Sequence, residues 1–122
     1  MGDTTFNNSS RTFQATAVAI AAYSLVKVDS NGLISVAGDN NTDAVLGVTL
    51  EDIAVSGYGA VKLLNASGSV EVLAGGDTIA VGAIVYTDGS GKVGTDSSNH
   101  KIGYSMTASA ADGDVIEVVV YY

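Results

Sequence analysis

Few side chains in this 122-residue chain could take part in chemistry, and they are widely separated. The single histidine, His100, has no second imidazole and no cysteine with which to form a metal site or a catalytic triad. Glu51 and Asp52 form an adjacent acidic pair that could cleave a glycosidic bond if a cleft held the carboxylates at a defined separation. The chain has no tryptophan on which a sugar could stack. We therefore expect no catalytic residues and predict that the protein is not an enzyme.

One polar segment is the best candidate for a metal site. Asp39, Asn41 and Asp43 place oxygen ligands at alternate positions, as at the start of a calcium-binding loop. The pattern then fails, because Ala44 stands where the sharp turn needs glycine and Leu50 stands where the bidentate glutamate belongs. We predict a plain polar loop and neither a metal nor a cofactor. A calcium- or carbohydrate-binding β-module stays open as an alternative function.

The charge of the chain argues against two classes of partner. The formal net charge is −8, and the five basic residues are spread singly along the sequence. Binding to nucleic acid requires clustered lysine or arginine side chains that neutralise phosphates. Anionic membrane surfaces attract the same kind of cluster. We therefore expect no nucleic acid and no membrane among the partners.

The rest of the chain consists of short strand patterns that are separated by turns. Valine, isoleucine, threonine and glycine are frequent, proline is absent, and only 15% of the residues are charged. This composition favours strands over helices. Turn signals recur about every 8–12 residues, which is typical of a sandwich or a small barrel. The sequence predicts an all-β fold, either a small antiparallel β-barrel or a β-sandwich.

A repeated hairpin indicates that the fold has two similar halves. Ser24–Ser35 aligns with Ala83–Gly94 at one constant offset, and in both copies aspartate opens the turn and glycine ends it. Aspartate can bond its own backbone there, and glycine reaches positive φ without a steric clash. Farther along, Leu46–Leu50 resembles Ile102–Met106. We predict two versions of one β unit, packed against each other.

The N-terminal segment differs in composition from the rest. We predict an extended arm over residues 1–11 and a single β-domain over residues 12–122. The first ten residues are mostly polar, which fits either a frayed terminus or an arm that becomes ordered against a partner. Phe6 and Phe13, the two phenylalanines of the chain, both lie in this region and favour the second interpretation.

The last predicted strand runs from Val115 to Tyr122 and has apolar side chains on both faces. A solvated edge strand would normally carry charge or proline against unwanted pairing. One interpretation is a central strand that is buried on both sides. The other is a strand completed by a neighbouring subunit, with Tyr121 and Tyr122 at the interface.

The order of these elements resembles a known family. Ala80–Tyr86, Asp88–Val93, Ile102–Tyr104 and Ala111–Val115 precede a valine-rich end, and this succession is similar to the small capsid decoration, or cement, proteins of tailed bacteriophages. The resemblance covers roughly residues 13–121. It implies a structural virion protein that binds the outer surface of a phage head and stabilises the expanded lattice of the major capsid protein.

For such a protein we also predict which residues contact its partners. We expect the arm to bind the major capsid protein, with Thr5, Phe6, Arg11 and Phe13 as the contacting residues. The body is expected to form a homo-oligomer, a trimer rather than a dimer. A head-fibre or tail component, which would share the fold type but assemble differently, is the remaining structural alternative.

Overall fold

The structure is a computed structural model that describes residues 10–37, 45–65 and 68–120. These ranges contain strands and turns, and no helix within them is long and apolar enough to cross a membrane. The strands are β1 (Ser10–Ala15), β2 (Leu25–Val28), β3 (Leu33–Val36), β4 (Gly47–Thr49), β5 (Tyr58–Leu63), β6 (Ser69–Leu73), β7 (Ile84–Thr87), β8 (Val93–Gly94), β9 (Lys101–Ser105) and β10 (Val115–Val120).

The first five strands close on themselves in the order β1-β3-β2-β4-β5. Strand β1 closes the ring because it pairs antiparallel with β5, where Phe13 faces Gly59, and parallel with β3, where Ala15 faces Ile34. The other pairs in the ring are antiparallel. Side chains that point inward fill the ring with its own apolar core, namely Ala15, Ile20, Val26, Ile34, Ile53 and Val61.

The second five strands repeat this topology. They form a sheet in the order β6-β10-β9-β7-β8, in which each neighbouring pair matches a pair of the first half. A single parallel bridge between Ala74 and Val93 links β6 to β8, at the position of the β1–β3 pairing. The prediction of an all-β fold with two similar halves is confirmed.

The repeated hairpin is confirmed in its detailed geometry. In the first copy the Asp29 carboxylate accepts the N–H of Asn31, and in the second the Asp88 carboxylate accepts the N–H of Ser90. The closing glycines, Gly32 and Gly91, have φ values of 78° and 82°. Only glycine adopts that conformation at little cost, so both turns need glycine at this position.

The two halves share one hydrophobic core. The N–H of Leu25 donates to the carbonyl of Gly91 at 2.7 Å, and the N–H of Leu73 donates to the carbonyl of Tyr23 at 2.9 Å. These bonds bring the outer face of β2 and β4 against the second half. Four first-half residues therefore join the core of the second half: Leu25, Ala37, Val48 and Leu64.

Strand β10 lies in the middle of its sheet, between β6 and β9. Ile116 and Val118 are buried, whereas Val115 and Val119 on the other face are exposed. The interpretation of a central strand is therefore confirmed, and its burial on both sides is wrong. The reason is the packing of the halves, because the second half covers the outer face of the first but its own outer face stays open.

Candidate functional site

The acidic pair that could have done glycosidase chemistry holds the backbone in place instead. The Glu51 carboxylate accepts the N–H of Ala60 at 3.0 Å, and the Asp52 carboxylate accepts the N–H of Ala22 at 2.8 Å. Thr107 occupies the position of Glu51 in the second half. Its hydroxyl likewise accepts a backbone hydrogen bond, from the N–H of Glu117. The Glu51 carboxylate is thus bound to strand β5 and the Asp52 carboxylate to the loop before β2, so each is held by a different segment of the backbone.

The other candidates for chemistry stand apart from one another. The backbone of His100 exchanges hydrogen bonds with Thr87, through its carbonyl and through its N–H, at the entrance to β9. Within the described ranges no three His, Cys, Asp or Glu side chains come together as metal ligands. The segment with Asp39, Asn41 and Asp43 lies outside the described residues.

Two aspartates in exposed turns have lowered pKa values. The hydroxyl and then the N–H of Ser98 hold the pKa of Asp96 below its ordinary value. The N–H groups of Ala110 and Ala111 lower the pKa of Asp114 in the same way. Hydrogen bonds to the charged form explain both shifts. These lowered pKa values reflect hydrogen bonds that stabilise the turns, and they do not indicate a catalytic acid or base.

A cleft lies between the halves and has a polar wall. Glu71 and Glu117 face each other across β6 and β10. The Ser69 hydroxyl donates to the Glu117 carboxylate, and the Lys62 ammonium donates to the Ser69 carbonyl at 2.6 Å. Like charges opposite each other destabilise a sheet, and the hydrogen bond from the Ser69 hydroxyl to Glu117 offsets part of the repulsion. The cleft is lined by Tyr23, Leu50, Lys62, Ser69, Glu71, Thr107, Val115 and Glu117.

Exposed apolar side chains form a patch at one end of the first half. Val18 and Val55 are 64% and 59% exposed, and Tyr58 is 70% exposed. The antiparallel bridge between Ile20 and Ile53 holds the two loops that carry the valines side by side. We call Val18, Val55 and Tyr58 the valine patch.

A second apolar surface crosses the open face of the second half. Ile84 lies opposite Tyr104, and Tyr104 lies opposite Val119, so the three side chains form one cross-strand row over β7, β9 and β10. Ile84 and Val119 are 38% and 40% exposed. The Lys101 ammonium lies 5.7 Å from the centroid of the Tyr104 ring. We call Ile84, Tyr104 and Val119 the outer row.

Two of the predicted capsid-binding residues lie on β1, and the other two lie outside the described residues. The guanidinium carbon of Arg11 lies 5.4 Å from the centroid of the Phe13 ring, which is a cation–π distance. Phe13 is half-buried and packs against the ring core. Thr5 and Phe6 lie outside the described residues, as do the predicted interface residues Tyr121 and Tyr122. The predicted boundary between arm and domain, at residue 11, falls within β1.

Sequence reasoning did not identify the valine patch or the outer row. A single valine in a turn has no distinguishing pattern, and alternate apolar residues on a strand read as core. One signal was available, since aligning the two halves shows which positions change from charged to apolar. Val18 and Val55 stand out only in that alignment.

Comparison with known proteins gives two findings. A family model described as phage cement protein matches residues 6–120. The crystal structure of the head fiber gp8.5 N base of bacteriophage phi29 has a TM-score of 0.71 to this chain, at 23% identity, and the match covers 92% of this chain and 94% of that one. At this identity the likeness shows the fold alone. Among curated proteins no sequence matches significantly.

Proposed function

Because the chain belongs to the phage cement protein family, we propose that it stabilises the expanded shell of a phage head by joining neighbouring subunits of the major capsid protein. The protein is a structural, capsid-associated component of the outer surface of the virion. The family match over residues 6–120 is the observation that carries this function. The family is structural, and we propose no catalytic activity.

The proposed function follows from binding equilibria. A protein that binds the expanded lattice but not its precursor stabilises the expanded state by mass action. Several weak contacts on one oligomer add up, because each bound subunit raises the effective concentration of the next. Such a protein needs a packed body and exposed contact surfaces, and the described part of the chain has two core clusters and several exposed apolar side chains.

We infer that the N-terminal region contributes capsid contacts through Thr5, Phe6, Arg11 and Phe13. The arrangement of β1 supports this inference, because within the described ranges β3 pairs with β1 from Gln14 onward, whereas the strand pairing of residues 10–13 is with β5. A strand paired on one side can accept a strand from a partner on the other. Arg11 and Phe13 would then add a cation and an aromatic ring to the contact.

We infer further that the body forms a homo-oligomer through the end of β10, with Tyr121 and Tyr122 at the interface. The outer row supports this inference, because Val119 stands two residues before Tyr121 in the sequence and continues an exposed apolar surface across three strands. We propose a trimer rather than a dimer. Light scattering of Tyr121→Ser/Tyr122→Ser, compared with the unmodified protein, measures the change in mass.

The decisive experiment mixes purified protein with expanded and with unexpanded capsids and compares how much protein co-sediments. We expect binding to the expanded form alone, and a higher melting temperature of the decorated shell. Absence from both pellets would contradict the proposed function. Deletion of residues 1–9, which spares β1, should weaken binding while the free protein melts as before. Unaltered binding of that deletion would contradict the role of the arm.

A head-fibre component is the second candidate, and the fold likeness to the phi29 head fiber base favours it. Electron microscopy of decorated capsids distinguishes the two roles. A cement protein forms low protrusions across the lattice, whereas a fibre base carries a longer projection at fewer sites.

A further inference from the structure

The duplication provides a comparison within one chain. The bridge between Ile20 and Ile53 in the first half corresponds to the bridge between Ile79 and Ser109 in the second. Because Val18 precedes the first bridge by two residues and Asp77 precedes the second by two, these side chains occupy matching positions. The internal alignment thus identifies where the halves differ in chemistry at the same place in the fold.

The second valine of the patch has an acidic counterpart as well. The turn over residues 54–57 is closed by a bond from the Gly57 N–H to the Ala54 carbonyl. The turn over residues 111–114 is closed in the same way, from Asp114 to Ala111. Val55 and Asp112 are the second residues of these turns. Both valines of the patch therefore replace an aspartate of the other half.

The two aspartates make the end of the second half compatible with water. The Asp77 carboxylate accepts the N–H of Thr95 at 2.9 Å and its hydroxyl at 3.1 Å. The Asp112 carboxylate forms an ion pair with Lys92 at 2.9 Å, and its side chain is 64% exposed. This end is charged and held by its own hydrogen bonds and ion pair.

The matching end of the first half is apolar and open. The loops that carry Val18 and Val55 border a shallow depression. Asp52 is the carboxylate in its lining, and it accepts the N–H of Ala22. The other lining residues are Ala19, Ile20, Ala21, Ile53 and Ala54. Contiguous exposed apolar surface of this kind marks an interaction site more often than a solvated one.

The second half is also the more acidic of the two in overall charge. Residues 69–120 contain seven acidic and two basic residues, whereas residues 10–65 contain five acidic and three basic residues. A protein on the outer surface of a capsid turns one side toward the shell and another toward water. The more acidic half suits the side that faces water, and the half with the apolar end suits the side that faces the shell.

We propose that the valine patch docks on the major capsid protein, so that the first half is proximal to the shell and the second half faces solvent. The occupant is an uncharged, apolar area on the outer face of the capsid. This inference rests on the proposed function and adds the docking surface to it. A second copy of the chain is the less suitable occupant, because the outer row, which supports the proposed oligomer contact, lies on the other half.

The test compares three single variants with the unmodified protein. Two variants, Val18→Asp and Val55→Asp, give the patch the aspartates that the second half has at the matching positions. The matched control is Val81→Asp, because Val81 lies in the second half and is 65% exposed. All three are measured by co-sedimentation with expanded capsids, by light scattering and by thermal melting. We expect the two patch variants to bind at least about tenfold more weakly, because each buries an unpaired charge in the contact.

Each outcome supports or overturns the inference. The inference is supported if Val18→Asp and Val55→Asp lose binding but keep the mass and melting temperature of the unmodified protein, while Val81→Asp binds normally. Normal binding by both patch variants overturns it, and so does a lower mass of these variants, which would assign the patch to a second copy. If the unmodified protein binds no capsid, the proposed function itself is overturned. This result differs from failure of the docking inference, in which the unmodified protein binds and the patch variants bind equally well. Should an aspartate variant unfold, Val18→Ser takes its place with the same readings.

Discussion

The two halves fill one core site with a large side chain at different positions. In the first half Ile53 packs on Gly59, where a Cβ atom would lie 2.5 Å from the Ile53 Cγ1 atom. At the matching positions the second half has Ser109 and Ile116, both buried. The large side chain has moved from the loop to the strand, and the filled volume is similar. Sequence alignment of single elements cannot reveal this exchange, because the two positions come together only in the folded chain.

This exchange predicts a strong coupling between the two first-half positions. Gly59→Ile should overpack the site and Ile53→Ser should leave a cavity, each lowering the free energy of unfolding by about 2–4 kcal/mol. The double variant restores the pattern of the second half and should lose at least about 1 kcal/mol less than the sum. Urea denaturation of the four proteins gives the coupling. Ile53→Ser combined with Val85→Ala, in the other core cluster, serves as the additive control, and equal additivity in both cycles would contradict the exchange.

Two residues other than glycine adopt the left-handed backbone conformation. Tyr23 and Ser56 have φ values of 63° and 54°, and their counterparts in the second half are Gly82 and Gly113. A non-glycine residue in this region costs roughly 1 kcal/mol or more. The first half therefore carries local strain where the second uses glycine. Positive φ is expected at glycine, so the local sequence pattern did not predict this conformation at Tyr23 and Ser56.

At the scale of elements, the hairpins were predictable and the ring closure was not. Aspartate followed by glycine between aliphatic runs determines a turn through contacts within a few residues, and β2, β3, β7 and β8 form where that pattern places them. The parallel pairing of β1 with β3 depends on the path of residues 16–24 around the end of the ring. Such a pairing follows from how the whole half packs, and no local motif encodes it.

The turn before β10 predicts a specific loss of stability in acid. The N–H groups of Ala110 and Ala111 hold the pKa of Asp114 below its ordinary value, so folding favours the charged carboxylate. Stability from this group is complete above the unfolded pKa, near pH 4, and is lost as the pH falls through the lower folded pKa. Asp114→Ala should therefore be less stable than the unmodified protein at pH 7 and should lose less on acidification. Melting temperatures from pH 7 to pH 2.5 measure this difference.

Salt provides the control for the acid experiment. Hydrogen bonds to the carboxylate cause the shift in the pKa of Asp114, so the difference between variant and unmodified protein should persist at high ionic strength. A difference that disappears in salt would assign the effect to the net negative charge of the chain instead.

At the scale of the molecule, the duplication was predicted and its asymmetry was not. Both halves have the same order of strand pairing, yet the first has its own closed core and the second takes four residues of the first into its core. The sequence shows apolar residues at both Leu25 and Val26, which suits a strand covered on both faces. Which half provides that cover depends on three-dimensional packing, and it decides which outer face remains open.

The shared core predicts that the halves unfold together. Leu25 belongs to the core of the second half and Ile34 to the core of the first, and both are fully buried. Leu25→Ala and Ile34→Ala should each lower the free energy of unfolding by about 3 kcal/mol. Both variants should still show one transition, with the same midpoint by tyrosine fluorescence and by far-ultraviolet circular dichroism. Two separate midpoints in Leu25→Ala would mean that the halves are independent domains. A single midpoint in both variants means that the two halves unfold as one cooperative unit.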